Sequence, residues 1–393
     1  MSESSPDYTR VLVTVGFTII HYIVGSVFFD LVHWQAYQKT RNKFMRWLSR
    51  THSAHHQYFN RRLQFNNKFR HANLVSHMPL EFACQAIGSS ASWVVLRRLY
   101  PTSARDLLIV MVVQIVRTAV VAWNLGSDSN HIPYQVLPKD RNGFIVGPEY
   151  HVLHHIDPQN YFGSMVRVVD MLLGTATTLK GRRVAMTGSS GALGRKLAKL
   201  LQKEQVASVT PLRHGKEWSK NDFAGLAPML AETDILVLCH GTKDTHAALS
   251  VNCSSAVSII ELFKQVRART KPELIPEVWF VGSEAELHGA LPGDRVMQAY
   301  AESKRAFVPF ARAYYDDEAI LYRHIVPAAF KSRMGSALVG ADWAARVAIW
   351  WIRRGAQYVP VTYTGLAFVN YFRFMYWVRP TPAGAVQSPK SSK

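Results

Sequence analysis

The sequence is poor in cysteine: Cys84, Cys239 and Cys253 are the only three in 393 residues. Neither a disulfide framework nor a cysteine-based zinc cluster can be built from them, and a reducing, cytosol-facing setting fits that scarcity. Acidic residues are also in short supply, 27 against 46 lysines and arginines, for a formal net charge of +19. That excess is not gathered into a polybasic tail: residues 1–180 hold 18 basic and 10 acidic side chains, the remainder 28 and 17. An anionic membrane surface or an anionic cofactor accounts for such a spread charge as well as nucleic acid would, and no nucleic-acid partner is expected. No internal repeat is visible. The first apolar run, "VLVTVGFTIIHYIVGSVFFDLVHW", starts too far into the chain and lacks a small-residue cleavage site, so it reads as a membrane segment and not as a signal peptide.

The length suits two or three domains. Residues 11–29 are polar only at Thr14, Thr18, His21, Tyr22 and Ser26, long enough to span or nearly span a bilayer. Residues 39–70 are basic and histidine-rich and face the cytosol by the positive-inside rule. Residues 80–99 and 106–126 are further apolar stretches; Arg117, inside the second, is expected to face protein or water. Buried core helices of a globular protein are the alternative reading. Residues 127–180 are polar and rich in proline and glycine. The pattern then changes at "LKGRRVAMTGSSGALG". Strand-like "RRVAMT", a basic amphipathic helix over 192–204, "VASVTPL", "DILVLC", "EVWFVGS" and "AILYRHIV" follow in turn. Such alternation predicts an α/β Rossmann fold with a parallel sheet, after an all-α membrane helical bundle. The expected divisions are 1–180, 181–360 and 361–393. In the last, "VTYTGLAFVNYFRFMYWV" reads as an aromatic membrane-interface helix or a packing helix, and the final dozen residues as disordered.

Histidine is the lopsided residue: 11 of 16 precede residue 180. They fall in four clusters: "DLVHWQAY" (Asp30, His33), "HSAHH" (His52, His55, His56), "SDSNH" (Asp128, His131) and "HVLHH" (His151, His154, His155). On a helix, His-x-x-His-His puts the first imidazole on the face of both later ones, and neutral imidazole is a good ligand for iron and similar metals. Ordinary hydrogen-bonded histidines are the other reading of any one box. Together with "NYFG" after the last box and "DMLLGT" (Asp170 to Thr175), residues 10–178 resemble the fatty acid hydroxylase/sterol desaturase superfamily. The resemblance implies a di-iron centre held by His33, His52, His55, His56, His131, His151, His154 and His155. It implies dioxygen-dependent hydroxylation or desaturation of a lipid, with electrons from a carrier such as cytochrome b5. Two positions depart from the family pattern: Tyr37 replaces the second histidine of the first box, and Ser127 the first of the intermediate box. Tyrosine, water, His21, His71 or His77 could take their place.

In the second half, "VAMTGSSGALGRKLAKLL" places Gly188, Gly191 and Gly194 between a strand and a helix, the setting of a dinucleotide turn. Ser189, Ser190 and Leu193 belong to the same turn. The next strand ends in "PLRHG"; Arg213 stands where an acidic residue would take a ribose hydroxyl, and its planar fork suits a 2′-phosphate. NADP(H) is therefore the expected cofactor. Tyr300 and Lys304 in "YAESKRA" share a helix face, so a lysine ammonium can assist a phenol in acid–base work. Ser283 ends the preceding strand. Residues 181–360 resemble the short-chain dehydrogenase/reductase family. That resemblance makes Tyr300 the acid–base, Lys304 the nicotinamide-ribose ligand, Ser283 the substrate-orienting hydroxyl and Asn252 the support of a proton relay. Gly241, in "CHGTKD", lies where the family has Asn-Ala-Gly, and Pro327 opens "PAAF" where it has Pro-Gly.

A hydroxylase-like module fused to a short-chain dehydrogenase resembles bifunctional sterol desaturase/short-chain dehydrogenases. It implies an integral membrane lipid oxidoreductase of the endoplasmic reticulum or an equivalent membrane, with catalytic domains facing the cytosol. Two alternatives stay open: a single-activity NADPH-dependent lipid carbonyl reductase anchored by a degenerate hydroxylase domain, and a non-enzymatic membrane-tethered NADP(H)-binding protein. The lipid, the direction of hydride transfer and the oligomeric state are not encoded in these motifs.

Overall fold

The computed structural model describes residues 8–386 apart from 39–40, 101, 220–221, 271–273 and 291. Most of the tail expected to be disordered lies outside them. The chain divides into two compact units: residues 1–136 with 140–176, and residues 137–139 with 177–393.

The first unit is helical. Its elements are α1 (Tyr8–Ala36), α2 (Lys43–Tyr58), α3 (Arg70–Ala72), α4 (Met78–Leu96), α5 (Ala104–Trp123), α6 (Pro148–Ile156) and α7 (Val168–Leu173). A π-helical stretch, Asn73–His77, leads from α3 into α4. Two helices, α1 and α5, are long and apolar enough to cross a membrane. At 29 residues α1 is roughly 43 Å long, against a hydrocarbon core of about 30 Å. Both helices bury several polar side chains beside a few apolar ones and expose many apolar side chains. In α1 the buried residues include His21, Ser26, Asp30 and His33, while Val11, Leu12, Val15, Ile19 and Ile20 are exposed. In α5, Asp106 and Gln114 are buried, while Leu108, Val112, Ile115, Val116 and Val120 are exposed. Helices α1 and α4 approach through glycine: a Cβ on Gly25 would lie 2.4 Å from Ser89 Oγ, and one on Gly88 2.9 Å from Gly25 Cα. Small residues at such a crossing let backbones pack and polar side chains bond across: Gln114 Nε2 donates to Ser89 Oγ at 2.8 Å, and Ser89 Oγ to His21 O at 2.9 Å. Arg117 meets protein, donating to Glu81 Oε1 at 2.8 Å.

The second unit is a doubly wound α/β fold. Its elements are β1 (Arg183–Thr187), α8 (Ala192–Lys203), β2 (Ser208–Leu212), α9 (Ala227–Ala231), β3 (Ile235–Leu238), α10 (Ser255–Arg267), β4 (Glu277–Val281), α11 (Ala285–His288), α12 (Arg295–Asp316), β5 (Leu321–Pro327), β6 (Phe330–Lys331), β7 (Val339–Gly340), α13 (Ala341–Arg353), β8 (Tyr358–Val361) and α14 (Leu366–Tyr376). Six strands pair in parallel in the order β2-β1-β3-β4-β5-β8, with β6 and β7 as a separate pair. Strands β3 and β4 are buried along their whole length, as a sheet covered on both faces requires. Alternate residues go to opposite layers. Val184, Met186, Ile235 and Val237 pack with Leu193, Leu197 and Leu201 of α8 and Ala345 and Ile349 of α13. Ala185, Leu236 and Leu238 pack with Ile259 and Phe263 of α10 and Phe307 and Ala311 of α12. The order reverses at β1–β3, and a crevice opens at the carboxyl ends of strands at such a point.

The unit boundary falls at 176/177, a few residues before the expected 180/181, because Thr177 is tied into the second unit: its Oγ1 donates to Ile352 O at 2.6 Å and accepts from Arg323 Nη2. Ala367 and Phe374 of α14 belong to the core of the second unit, as the packing-helix reading of that segment expects. The other side of that helix exposes Phe368, Val369, Phe372 and Tyr376.

Candidate functional sites

The eight histidines singled out from the sequence lie together in the first unit as two groups of four. One holds His33, His52, His56 and His154, the other His55, His131, His151 and His155; in each, the ligand atoms lie within 4.8 Å of one another. Each His-x-x-His-His box therefore feeds both groups. Helix α2 sends His52 and His56 to one and His55 to the other, while α6 sends His154 to one and His151 and His155 to the other. Asp170 fixes the end of α6. It accepts from Phe162 N (2.9 Å), Gly163 N (2.7 Å), Thr175 Oγ1 (2.6 Å) and Tyr150 Oη (2.8 Å), so that "NYFG" and "DMLLGT" fold around one carboxylate.

The outward nitrogens of four of these rings are anchored, while His151 Nδ1 is buried without a hydrogen-bond partner among the described residues. His154 Nδ1–H donates to Asn160 O and His155 Nδ1–H to Phe59 O, each at 2.8 Å. His131 Nδ1 bonds the Asp128 carboxylate, and His55 Nδ1 bonds Asn73 Oδ1 at 3.1 Å. The anchors of His131 and His155 accept protons only, so both rings carry their hydrogen on Nδ1 and a lone pair on Nε2. Those two Nε2 atoms nevertheless face each other at 3.2 Å, and His131 Nε2 also lies 3.0 Å from His55 Nε2 and 3.1 Å from His151 Nε2. Converging lone pairs repel unless a cation lies between them. In the other group, buried His33 has no hydrogen-bond partner on either nitrogen. The donor set fits two metal ions, and the anchored Nδ1 atoms are the outer-shell arrangement such ligands need. Burial, then repulsion among neighbouring imidazoles, holds His52, His55, His56 and His155 well below their usual pKa, and burial takes His154 down to about 4. These five rings are neutral at pH 7, the form that binds metal.

The two departures are placed differently. The Tyr37 ring lies 5.6 Å from those of His33 and His154 and 5.7 Å from that of His52. The Ser127 backbone N–H donates to Asn124 O at 3.1 Å in the turn that follows α5. His77 is the residue that spacing underplayed: its Nδ1 is 3.2 Å from His52 Nδ1 and its ring stacks on His55 at 4.2 Å. His21 bonds Ser92 at 2.9 Å instead, and His71 is exposed.

In the second unit a cleft of about 730 Å³ is lined by Gly188, Ser190, Gly191, Leu193, Gly194 and Gly241 on one side and by Ser283, Tyr300 and Lys304 on the other. Gly188 has φ +65°, and a Cβ there would lie 2.5 Å from Cys239 O; one on Gly194 would lie 2.2 Å from Gly188 O. Only glycine fits this turn. It ends at Gly191, which caps α8 without a side chain, so the first N–H groups of the helix are left for an anion such as pyrophosphate. Ser189 is half-buried in the turn. The residues fit a dinucleotide.

Arg213 follows β2 but is absent from the cleft lining; its guanidinium is paired with Glu217 (Nη2–Oε1 2.7 Å). A 2′-phosphate would have to compete with that carboxylate.

The catalytic candidates converge. Ser283 and Tyr300 line the same side of the cleft, near enough for the serine hydroxyl to oppose the rise in the phenol's pKa. Lys304 Nζ donates to Val281 O at 2.8 Å and lies 6.0 Å from the Tyr300 ring centre. Asn252 sits in a π-helical turn, Ser250–Ser254, of the kind often found at functional sites. Its side chain accepts from Thr242 N and donates to Thr242 O and Ser303 Oγ. His240, in the place of the usual asparagine, is pinned between Thr187 Oγ1 (2.7 Å) and Ser255 Oγ (3.0 Å). Burial pushes Tyr300 up to about 12, against the opposing Ser283 hydroxyl, and burial takes Lys304 down to about 8.

No family model matches the chain. A monoglucosyldiacylglycerol epimerase of Synechocystis sp. is 29% identical over 254 residues, covering 58% of this chain and 61% of that protein. The match thus spans less than two thirds of that relative. Among solved structures, a short-chain dehydrogenase from Burkholderia cenocepacia in complex with NADP is 15% identical, covering 50% of this chain and 94% of that one, with a TM-score of 0.42. A short-chain dehydrogenase/reductase family oxidoreductase from Burkholderia thailandensis is 18% identical, covering 49% and 97%, with a TM-score of 0.38.

Proposed function

We propose that the chain is a membrane-bound lipid oxidoreductase with two reaction centres, an NADP(H)-dependent dehydrogenase site and a di-iron site of the hydroxylase/desaturase kind. The observation that carries the first is the meeting of Ser283, Tyr300 and Lys304 with the glycine turn around one cleft. When bound, NADPH supplies a hydride. Tyr300, protonated at neutral pH because its pKa is raised, donates its proton to the oxygen of a lipid carbonyl as that oxygen becomes an alcohol. Ser283 holds the same oxygen in line. Lys304 binds the nicotinamide ribose, and Asn252 supports proton resupply. A protonated phenol at rest suits the reducing direction.

Two iron ions held by the paired histidine groups would activate dioxygen for oxidation of a lipid C–H bond, with electrons from a carrier such as cytochrome b5. His33, His52, His56 and His154 would hold one, His55, His131, His151 and His155 the other. Buried polar and exposed apolar residues on α1 and α5 support an integral membrane location. The exposed aromatic side of α14 supports contact with the interface. We place the protein in the endoplasmic reticulum or an equivalent membrane, its sites facing the cytosol.

A second reading has its own support. The glycolipid epimerase relative favours a headgroup alcohol as substrate: oxidation to a carbonyl and reduction from the other face, with no net use of nucleotide. Detergent-purified protein, loaded with iron, separates the readings. Two iron ions per chain and net NADPH consumption on lipid carbonyls, lost in Tyr300→Phe with NADPH binding retained, support the two-centre reading. Fewer than one metal per chain removes the di-iron centre, and unchanged turnover in Tyr300→Phe removes the dehydrogenase assignment.

A further inference from the structure

Beneath the dehydrogenase cleft lies a buried acid–base chain that the proposed reaction does not use. Glu286 of α11 and His324 of β5 are 38 residues apart and both 0% exposed, with His324 Nε2 3.0 Å from Glu286 Oε2. Tyr322 Oη is 2.9 Å from His324 Nδ1. One proton arrangement satisfies every partner. The tyrosine hydroxyl donates to Nδ1, the neutral imidazole donates from Nε2, and the carboxylate accepts. The other carboxylate oxygen, Oε1, accepts the backbone N–H of Ser283 at 3.0 Å. A Cβ on Gly282 would lie 2.2 Å from that oxygen, so the close approach depends on glycine. Lys304 Nζ bonds Val281 O. Catalytic lysine and buried carboxylate therefore grip the residues on either side of Gly282, in the turn that presents the Ser283 hydroxyl.

We propose that Glu286 is a positioning residue of the dehydrogenase site: its carboxylate fixes the Ser283 backbone from below and supplies the buried negative charge facing Lys304. The inference rests on the dehydrogenase reading above.

The groups around Glu286 are known on every side. Tyr322 and His324 face it from β5, Tyr358 from β8, and Asn370 from α14 at 3.5 Å. From α12, Tyr300 and Lys304 feel its charge, while Arg305 of α12 and Arg373 of α14 donate to its backbone carbonyl rather than to the carboxylate. The Glu286 charge opposes the burial that lowers Lys304. Removing the charge lets burial act with less opposition.

The test is NADPH binding to the full-length protein in detergent, followed by nucleotide fluorescence between pH 6 and 10, in wild type, Glu286→Gln and Glu286→Asp. Wild type is expected to bind and to weaken as pH rises through the region of about 8 where Lys304 loses its proton. Glu286→Gln keeps the shape and an acceptor for Ser283 N–H but removes the charge. The pH at which binding weakens should fall by about one to two units, with Glu286→Asp restoring part of the shift. A purely structural role would lower affinity or melting temperature without moving that pH. A wild-type break that Glu286→Gln leaves in place overturns the proposal. Wild-type protein that binds no NADPH overturns the dehydrogenase reading instead.

Discussion

His131→Ala is the sharpest perturbation of the histidine groups. His131 Nε2 lies within 3.2 Å of the Nε2 atoms of His55, His151 and His155, so it is the hub of its group. It takes no part in the other group. A four-ligand metal site in a protein is worth about 10–16 kcal/mol; shared equally, one ligand carries about 3 kcal/mol, or roughly a hundredfold in affinity. The variant should keep one metal per chain and lose the second to a chelator of intermediate strength. Helical circular dichroism should be unchanged, because α2 and α6 keep their other anchors. Asp128→Asn, which leaves the ligand but weakens its outer bond, should cost about tenfold to a hundredfold. Metal content by mass spectrometry after chelator competition reads all three proteins. If His131→Ala retains both metals, or loses both while staying folded, the partition into two groups is wrong.

Two predictions concern the second unit. Gly194→Ala forces a Cβ to within 2.2 Å of Gly188 O; it should abolish NADPH binding and lower stability by about 1–3 kcal/mol, read by fluorescence titration and thermal melting. Arg323→Met removes the nearer of two arginines paired with Glu277, whose Oε2 accepts Arg323 Nε at 3.0 Å inside the sheet, and leaves Arg182 at 3.7 Å. Because one partner remains, the cost should fall below the about 3–5 kcal/mol of a fully broken buried pair. Burial raises the Glu277 carboxyl, but Arg323 and Arg182 outweigh it and hold the group below its usual pKa. The pair's contribution is thus present above the unfolded-state pKa and disappears as pH falls through the folded one. Wild type and variant melting temperatures should therefore converge in acid; a gap that persists there contradicts the ion-pair account.

Much of both candidate sites was legible because their chemistry restricts residue type within a short span. Three glycines at a strand–helix turn, a tyrosine and lysine one helical turn apart, and histidines at i, i+3 and i+4 are local signals. What spacing could not give is the partition of the ligands. A box shows which imidazoles share a helix face, while their division depends on where α2 and α6 cross α1 and the Asp128–His131 loop. His77 carried no box and was visible only as a stray histidine. Glu286 and His324 had no signal at all, since their bond joins a helix to a strand across 38 residues. Arg213 shows the opposite failure: its position after β2 suggested a 2′-phosphate, but nothing in the local pattern weighed Glu217 four residues on as a competitor.

The two departures from the histidine pattern take on a different meaning once the groups are seen. At sequence level Tyr37 and Ser127 read as gaps in a ligand set. In the fold each group reaches four imidazoles without them, so completeness no longer turns on those positions. The contrast lies in the surroundings. The group containing His131 has the anionic Asp128 as an outer partner, which raises ligand basicity and offsets metal charge. In the group containing His33, the outer partners of His52 and His154 are an imidazole and a peptide carbonyl, and its wall includes the Tyr37 ring. The two groups thus combine the same four-imidazole composition with unlike surroundings, and the Tyr37 ring stands beside the group that holds His33.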